Sequence, residues 1–237
     1  LLLLAARLGA VGAQRTPETQ RALDGVSSEL TALRASHPDR ADVRVLLASV
    51  AERRGQMDVA AAELRQAGAE CAEPLPAVLA LARLYSRTKR IDEAIEVLRA
   101  ACRQDGTRAA PWLALSDLLV GRQRIDEARH ELQTALVTTD AAAEQRRIAV
   151  ALASTDILHG DPPAGIAALQ RLAADDPQDL RVRGLLLNVP QVLQDAAGAQ
   201  RLVDEIKAIE GLSGALWRLC QARLWVAAGQ RALHRAE

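Results

Sequence analysis

Arg90-Ile91-Asp92-Glu93-Ala94 is repeated letter for letter at Arg124-Ile125-Asp126-Glu127-Ala128, 34 residues further along the chain. Two identical pentapeptides at one fixed offset imply stacked copies of a single supersecondary unit rather than one globular core. The likeness extends on both sides of the pentapeptide. Leu81, Ala82, Ala94, Leu98 and Ala101 in one copy line up with Leu115, Ser116, Ala128, Leu132 and Ala135 in the next.

Working outward in this register, units start at Ala41, Leu75 and Ala109. In each, positions four, seven, eight and eleven follow the i, i+3, i+4, i+7 spacing of one helical face. A large residue at position seven (Leu47, Leu81, Leu115) is followed by a small one at position eight (Ala48, Ala82, Ser116). A small side chain there lets a neighbouring helix approach, where leucine would overpack the contact. On the second helix, Ala60, Ala94 and Ala128 are small in the same way. Leu64, Leu98 and Leu132 follow one turn later, and Ala67, Ala101 and Ala135 leave room for the next unit.

Outside residues 41–140 the pattern loosens. Residues 1–13 read as a helix, and Gln14, Arg15 and Thr16 lead to Pro17, with Thr16 placed to cap a second helix that His37-Pro38 ends. After Asp140 three residues are inserted. The pattern resumes at Arg146 with Leu152, Ala153, Gly165, Leu169 and Leu172. Another unit runs from Leu180 through Leu186, Ala199, Val203 and Ile206, with Pro190 predicting a kink or early stop near Val189. A last unit starts near Ala215 and contains Ala222, Trp225 and Gly229, its second helix incomplete. The expected division is a divergent repeat over 1–40, three regular repeats over 41–142, two less regular repeats over 143–213, and an incomplete repeat over 214–237. Neither end carries a natural start or stop, so a segment of a longer, bacterial-looking array is expected.

Composition narrows the function classes. Hydrophobic residues make up 49% of the 237 residues, yet aromatics are 2% and Phe is absent, so the core must be built from Ala, Leu, Val and Ile, which favours close-packed helices. Thirty basic and thirty acidic residues cancel, removing the bulk electrostatic case for nucleic acid or anionic membrane as partner. Lys89 and Lys207 are the only lysines, an arginine bias that codon composition explains as well as function does. Cys71, Cys102 and Cys220 are too few and scattered for a disulfide framework or a zinc site. Six apolar residues before Arg7 are too short for a membrane span, and they lack the basic start of a signal peptide. The compartment stays open, cytoplasmic or periplasmic.

With its period, Trp112 at position four, Leu115 and Ser116 at seven and eight, Tyr85 at eleven, and Ala at twenty and twenty-seven, the unit resembles the tetratricopeptide repeat. The resemblance covers nearly the whole chain and is strongest over residues 41–140. Asp156 in place of a large apolar residue, Gly165 for Ala, Pro190 and the insertion depart from the family's pattern. The resemblance implies an all-α, right-handed superhelical solenoid of antiparallel helix pairs. Its first helices would line a concave groove for a protein or peptide, with no cofactor. Carried over position by position, the groove has an apolar row at position five of Val45, Leu79, Leu113 and Val150, ending at Gly184. Beside it stand Arg53, Arg83 and Arg87, with Asp117, Ser154 and Asn188 continuing the position-nine row. The groove is expected to hold a partner segment by the apolar row, with an acidic group meeting Arg83 and Arg87. The bland alternative makes the row half-buried packing and the arginines a solvated face. The lysine and asparagine rows with which some repeats of this family clamp chaperone tails are missing, since these rows hold no Lys and only Asn188.

The remaining constellations read as structural. Asp92-Glu93 and Asp126-Glu127 sit in the first turn of a helix, where negative charge complements the dipole. Asp156 and His159, at i and i+3, have no nucleophile nearby and are read as capping the turn at Gly160-Asp161-Pro162. His37, His130, His159 and His234 lack metal-ligand spacing, and no nucleotide or hydrolase motif is present. Trp217 and Trp225 are read as core packing or as a face awaiting a further repeat, and Cys220 as a small hydrophobe. The expectation is a non-catalytic scaffold with no metal and no membrane insertion, able to self-associate through residues 1–4 and the Trp217/Trp225 face. The alternatives are the docking arm of a larger enzyme such as a glycosyltransferase or protease, the sensor arm of a transcription regulator, or a component of an envelope or exopolysaccharide export system.

Overall fold

Fourteen α-helices account for all the regular secondary structure among the described residues, which are 1–10 and 16–234 of a computed structural model. The expected end of the first helix, with Gln14 and Arg15, lies outside them. The helices fall into two compact units, residues 1–122 and 123–237.

The first unit contains α1 (Leu2–Ala10), α2 (Pro17–Ser36), α3 (Ala41–Arg53), α4 (Met57–Glu70), α5 (Leu75–Arg87), α6 (Ile91–Gln104) and α7 (Ala109–Gly121). Thr16 starts α2 with a capping box: its hydroxyl accepts from the Thr19 N–H at 3.1 Å, and the Thr19 hydroxyl accepts from the Thr16 N–H at 2.9 Å. Leu4, Leu8, Leu23, Val26, Leu30, Val43, Leu47 and Val50 form one core where α1 and α2 meet α3. All three large-small pairs are buried: Leu47 and Ala48, Leu81 and Ala82, Leu115 and Ser116. Facing them, Ala60, Leu64, Ala94 and Leu98 are almost wholly buried. Each buried leucine contributes roughly 1.5–3 kcal/mol, and the alanines let the backbones come close enough for that burial.

The turns inside these repeats share one backbone device. After α3, Gly55 N–H bonds to Glu52 C=O at 2.9 Å and Gln56 N–H to Ala51 C=O at 2.9 Å. After α5, Lys89 N–H bonds to Ser86 C=O at 3.2 Å and Arg90 N–H to Tyr85 C=O at 2.8 Å. Both are Schellman closures, which need a left-handed residue one place past the cap. Gly55 (φ 80°) takes that conformation freely, whereas Lys89 (φ 63°) adopts it at a steric cost.

The second unit contains α8 (Ile125–Thr138), α9 (Ala142–His159), α10 (Pro162–Asp175), α11 (Leu180–Leu186), α12 (Pro190–Gln194), α13 (Ala196–Glu210) and α14 (Leu216–His234). The inserted residues lengthen α9 to 18 residues, against 13 for α7. Gly165 is explained by closeness: a Cβ there would lie 2.5 Å from the Ala153 carbonyl oxygen and 2.9 Å from Ile157 N, so α10 rests on the backbone of α9. Pro190 acts as anticipated. Helix α11 stops at Leu186, Val189 is extended, and the proline opens α12 at its first position, where it needs no donor. Helix α14 is unbroken through its described length, so the partial second helix expected behind it is not reached. The capping assignment needs correcting too. Asp161 caps α10 by accepting from Ala164 N–H at 3.1 Å, while Asp156 pairs with Arg129 of α8 at 2.7 Å.

Candidate partner-binding surface

In the first unit the helices form two layers. Helix α3 packs directly on α5 and α5 on α7, while α4 and α6 have no comparable contact with each other, so α3, α5 and α7 make the tighter, inner layer. Position five of this layer is occupied by Val45, Leu79 and Leu113. All three are half-buried: each keeps part of an apolar side chain at the surface at the same place on three neighbouring helices. One helical turn later stand Ser49, Arg83 and Asp117, on the same face because they are four residues on. The Ser49 hydroxyl donates to Val45 C=O at 2.9 Å and is locally satisfied.

Charge on this layer is mostly neutralised internally. Arg87 of α5 donates to Glu52 of α3, so it is not available to an incoming acid in the way expected. Arg40 holds Asp42 bidentately at 3.0 and 2.6 Å, and that hydrogen bond keeps the Asp42 carboxyl below the usual carboxylate range. Arg53 is exposed at the end of α3 and is itself engaged. Arg83 is exposed, and its Nε donates only to Leu79 C=O at 3.2 Å. Asp117 is an exposed residue whose carboxyl still loses solvation to the surrounding chain, and this burial pushes its pKa up.

In the second unit the remaining expected groove residues take other roles. Val150 is 6% exposed and packs with Leu169, Ala173, Val182 and Leu186, and Gly184 is buried. Position five is core there, at Val150 of α9 and at Gly184 of α11. Asn188 lies in the turn after α11, where its side-chain oxygen accepts from Arg223. The tryptophans also part company. Trp217 packs beneath Lys207 and Arg218, 4.8 and 5.0 Å from its ring centroid, while Trp225 is 69% exposed. Eight residues at about 100° each leave them roughly 80° apart around the helix.

Two buried arginines were not anticipated. Arg44 of α3 reaches Glu70 at 2.8 Å and Glu63 at 3.5 Å. Arg183 of α11 donates to Glu205 at 2.9 Å and to the carbonyls of Ala173, Asp176 and Asp179 at 3.1–3.2 Å. Both occupy position four, where Trp112 stands in its own repeat with its indole N–H on Gly106 C=O at 3.0 Å. That shared position was the available signal. The pentapeptide carries an unforeseen pair as well: Arg90 grips Glu93, and Arg124 grips Glu127, each through two hydrogen bonds. The Arg90 hydrogen bond holds Glu93 below the ordinary carboxylate range.

Among the described residues there is no group of three or more His, Cys, Asp or Glu side chains able to hold a metal ion, and no helix long and apolar enough to cross a membrane. A cleft of about 270 Å³ between the α4–α5 and α6–α7 turns is lined by Pro74, Leu75, Val78 and Pro111, with Glu73 and Arg108 3.5 Å apart at its edge. It has the makings of packing space between repeats, without a nucleophile or a convergent acid and base.

The tetratricopeptide repeat family matches the chain over residues 28–73 and again over residues 75–118. No curated protein matches the sequence. Among solved structures, yeast Tom70 is similar at TM-score 0.64 and 12% identity, over 98% of this chain and 47% of that one. The C-terminal part of a TPR repeat-containing protein from Cytophaga hutchinsonii is similar at TM-score 0.60 and 9% identity, over 85% and 80%. PilF of Pseudomonas aeruginosa is similar at TM-score 0.52 and 16% identity, over 93% and 96%. At these identities the likeness is one of fold.

Proposed function

Because this chain is a tetratricopeptide-repeat protein, a fold that serves generally as a scaffold for protein–protein interaction, we propose that it is a non-catalytic scaffold whose first unit binds a segment of a partner protein along Val45, Leu79 and Leu113. The observation that carries the reading is the half-exposed apolar row, repeated on three consecutive inner helices and set among charges that are mostly satisfied. Such a row gains stability when a partner's side chains complete its burial, at about 25 cal/mol per Å² of apolar surface covered. Backbone and charged groups around it then set orientation. A balanced net charge gives no general field for nucleic acid, which also favours a protein partner.

The test is selection of binders from a displayed random dodecapeptide library on the full chain, followed by titration against Leu79→Ser, which removes the apolar side chain without adding charge. The expected result is at least a roughly tenfold loss of affinity, equivalent to about 1.4 kcal/mol. Binders indifferent to Leu79→Ser would remove the basis for the proposal.

A further inference from the structure

We propose that the segment held on the inner layer of the first unit carries an acidic group and a basic group about 10 Å apart, the acid pairing with Arg83 and the base with Asp117. The inference rests on the reading of the Val45, Leu79 and Leu113 row as the binding surface, and it replaces the two-arginine acid site expected from the sequence. Arg87 is already held by Glu52. Asp42 is held by Arg40, Arg44 is buried against Glu63 and Glu70, and Arg53 is engaged. Among the described residues, Arg83 and Asp117 are the charges of α3, α5 and α7 left without an opposite charge.

They occupy the same position of adjacent repeats, each one turn after an apolar residue of the row. Arg83 follows Leu79, and Asp117 follows Leu113. The surface therefore presents two equivalent apolar-plus-charge subsites of opposite sign, preceded by the neutral pair Val45 and Ser49. Packed helix axes lie about 8–10 Å apart. Among the described residues Arg83 and Asp117 make no ion pair with each other, and the Arg83 Nε donates to Leu79 C=O instead. An extended segment in the polyproline II conformation rises about 3.1 Å per residue and returns to the same face every third residue, close to 9–10 Å. An acidic and a basic residue at i and i+3, with apolar neighbours, therefore match both subsites at once. Asp117 favours this further: its carboxyl is raised in pKa by burial that no counter-charge offsets, so an incoming cation recovers solvation the aspartate has already lost.

The probe is the same dodecapeptide library displayed against the full chain, with selected peptides synthesised, labelled and titrated. Selected sequences should carry opposite charges three residues apart. Arg83→Glu and Asp117→Lys should each weaken binding about tenfold, through lost attraction plus new repulsion. The double variant should prefer the peptide with its acid and base exchanged, a rescue that a structural role could not produce. Circular dichroism would confirm that these surface variants stay helical. Peptides that lose affinity with Leu79→Ser but not with Arg83→Glu or Asp117→Lys would overturn the charge inference while the binding row stands. Peptides indifferent to all three would overturn both.

Discussion

Replacing Arg183 with alanine should unfasten the join between α10, α11 and α13. The side chain is only 7% exposed, while its partner Glu205 is 50% exposed. Its guanidinium bonds to Ala173 C=O at 3.1 Å, a buried contact, and to Asp176 and Asp179 C=O at 3.2 Å in partly wet surroundings. Ala173 belongs to the last turn of α10 and Asp176 is its C-cap, where carbonyls have no partner within the helix. Arg146, from α9, takes the neighbouring Leu172 C=O at 2.8 Å, so two arginines from adjacent helices cap one helix end. A hydrogen bond from a charged donor contributes about 1.5–3 kcal/mol where water cannot replace it, and less where it can. One buried bond at full value and two discounted ones give about 3 kcal/mol for Arg183→Ala. Glu205→Ala should cost below about 1 kcal/mol, because a half-exposed carboxylate is screened and rehydrates. Arg183→Met, which keeps the packed stem, should recover about 1 kcal/mol. An array of repeats does not unfold as one body, so hydrogen exchange resolved by segment is the appropriate assay. In Arg183→Ala the amides of α10 and α11 should exchange about a hundredfold faster. If Arg183→Ala and Glu205→Ala accelerate exchange equally, the value of the arginine lies in the exposed ion pair, and the capping argument fails.

Three further outcomes follow from local geometry. Gly165→Ala should lower stability by about 1–3 kcal/mol despite alanine's better helix propensity, because the added methyl meets backbone atoms of α9; an unchanged or raised melting temperature would contradict the close contact. Lys89→Gly should raise the urea midpoint, by about 0.5–1 kcal/mol in stability, since glycine accepts the left-handed turn that lysine adopts under strain; a lower midpoint would count against it. For Asp179, burial opposes ionisation, but Arg146 and the N–H groups of Val182 and Arg181 outweigh it and hold its pKa below the ordinary value. A depressed folded-state pKa contributes stability fully above the unfolded value near 4, and that contribution is lost as pH falls through the folded one. Asp179→Asn should therefore lose less stability than the parent between about pH 5 and pH 2, and parallel acid curves would refute the assignment.

The helical class and the logic of stacking were legible because they depend on residue size at a fixed period. Ala94, Leu98, Ala128 and Leu132 announce close packing, and all four are buried. What stayed hidden depends on neighbours distant in sequence. Val45 and Val150 are the same residue at the same repeat position, yet one is half-exposed and the other is core, clustered with Leu169, Ala173, Val182 and Leu186. Arg87 reads as free until Glu52, 35 residues earlier, is seen beside it. Arg44 and Arg183 read as surface residues by type, although their position, shared with Trp112, marks them as interior. Asp156 reads as a turn cap, but its partner is Arg129 on the preceding helix.

The central claim is that α3, α5 and α7 present the binding row. It is tested most directly by backbone amide chemical-shift mapping of the full chain bound to a selected peptide. The account predicts that the largest changes fall around Val45, Leu79 and Leu113 and at the positions one turn later. Changes confined to α4 and α6, or to the second unit, would contradict it.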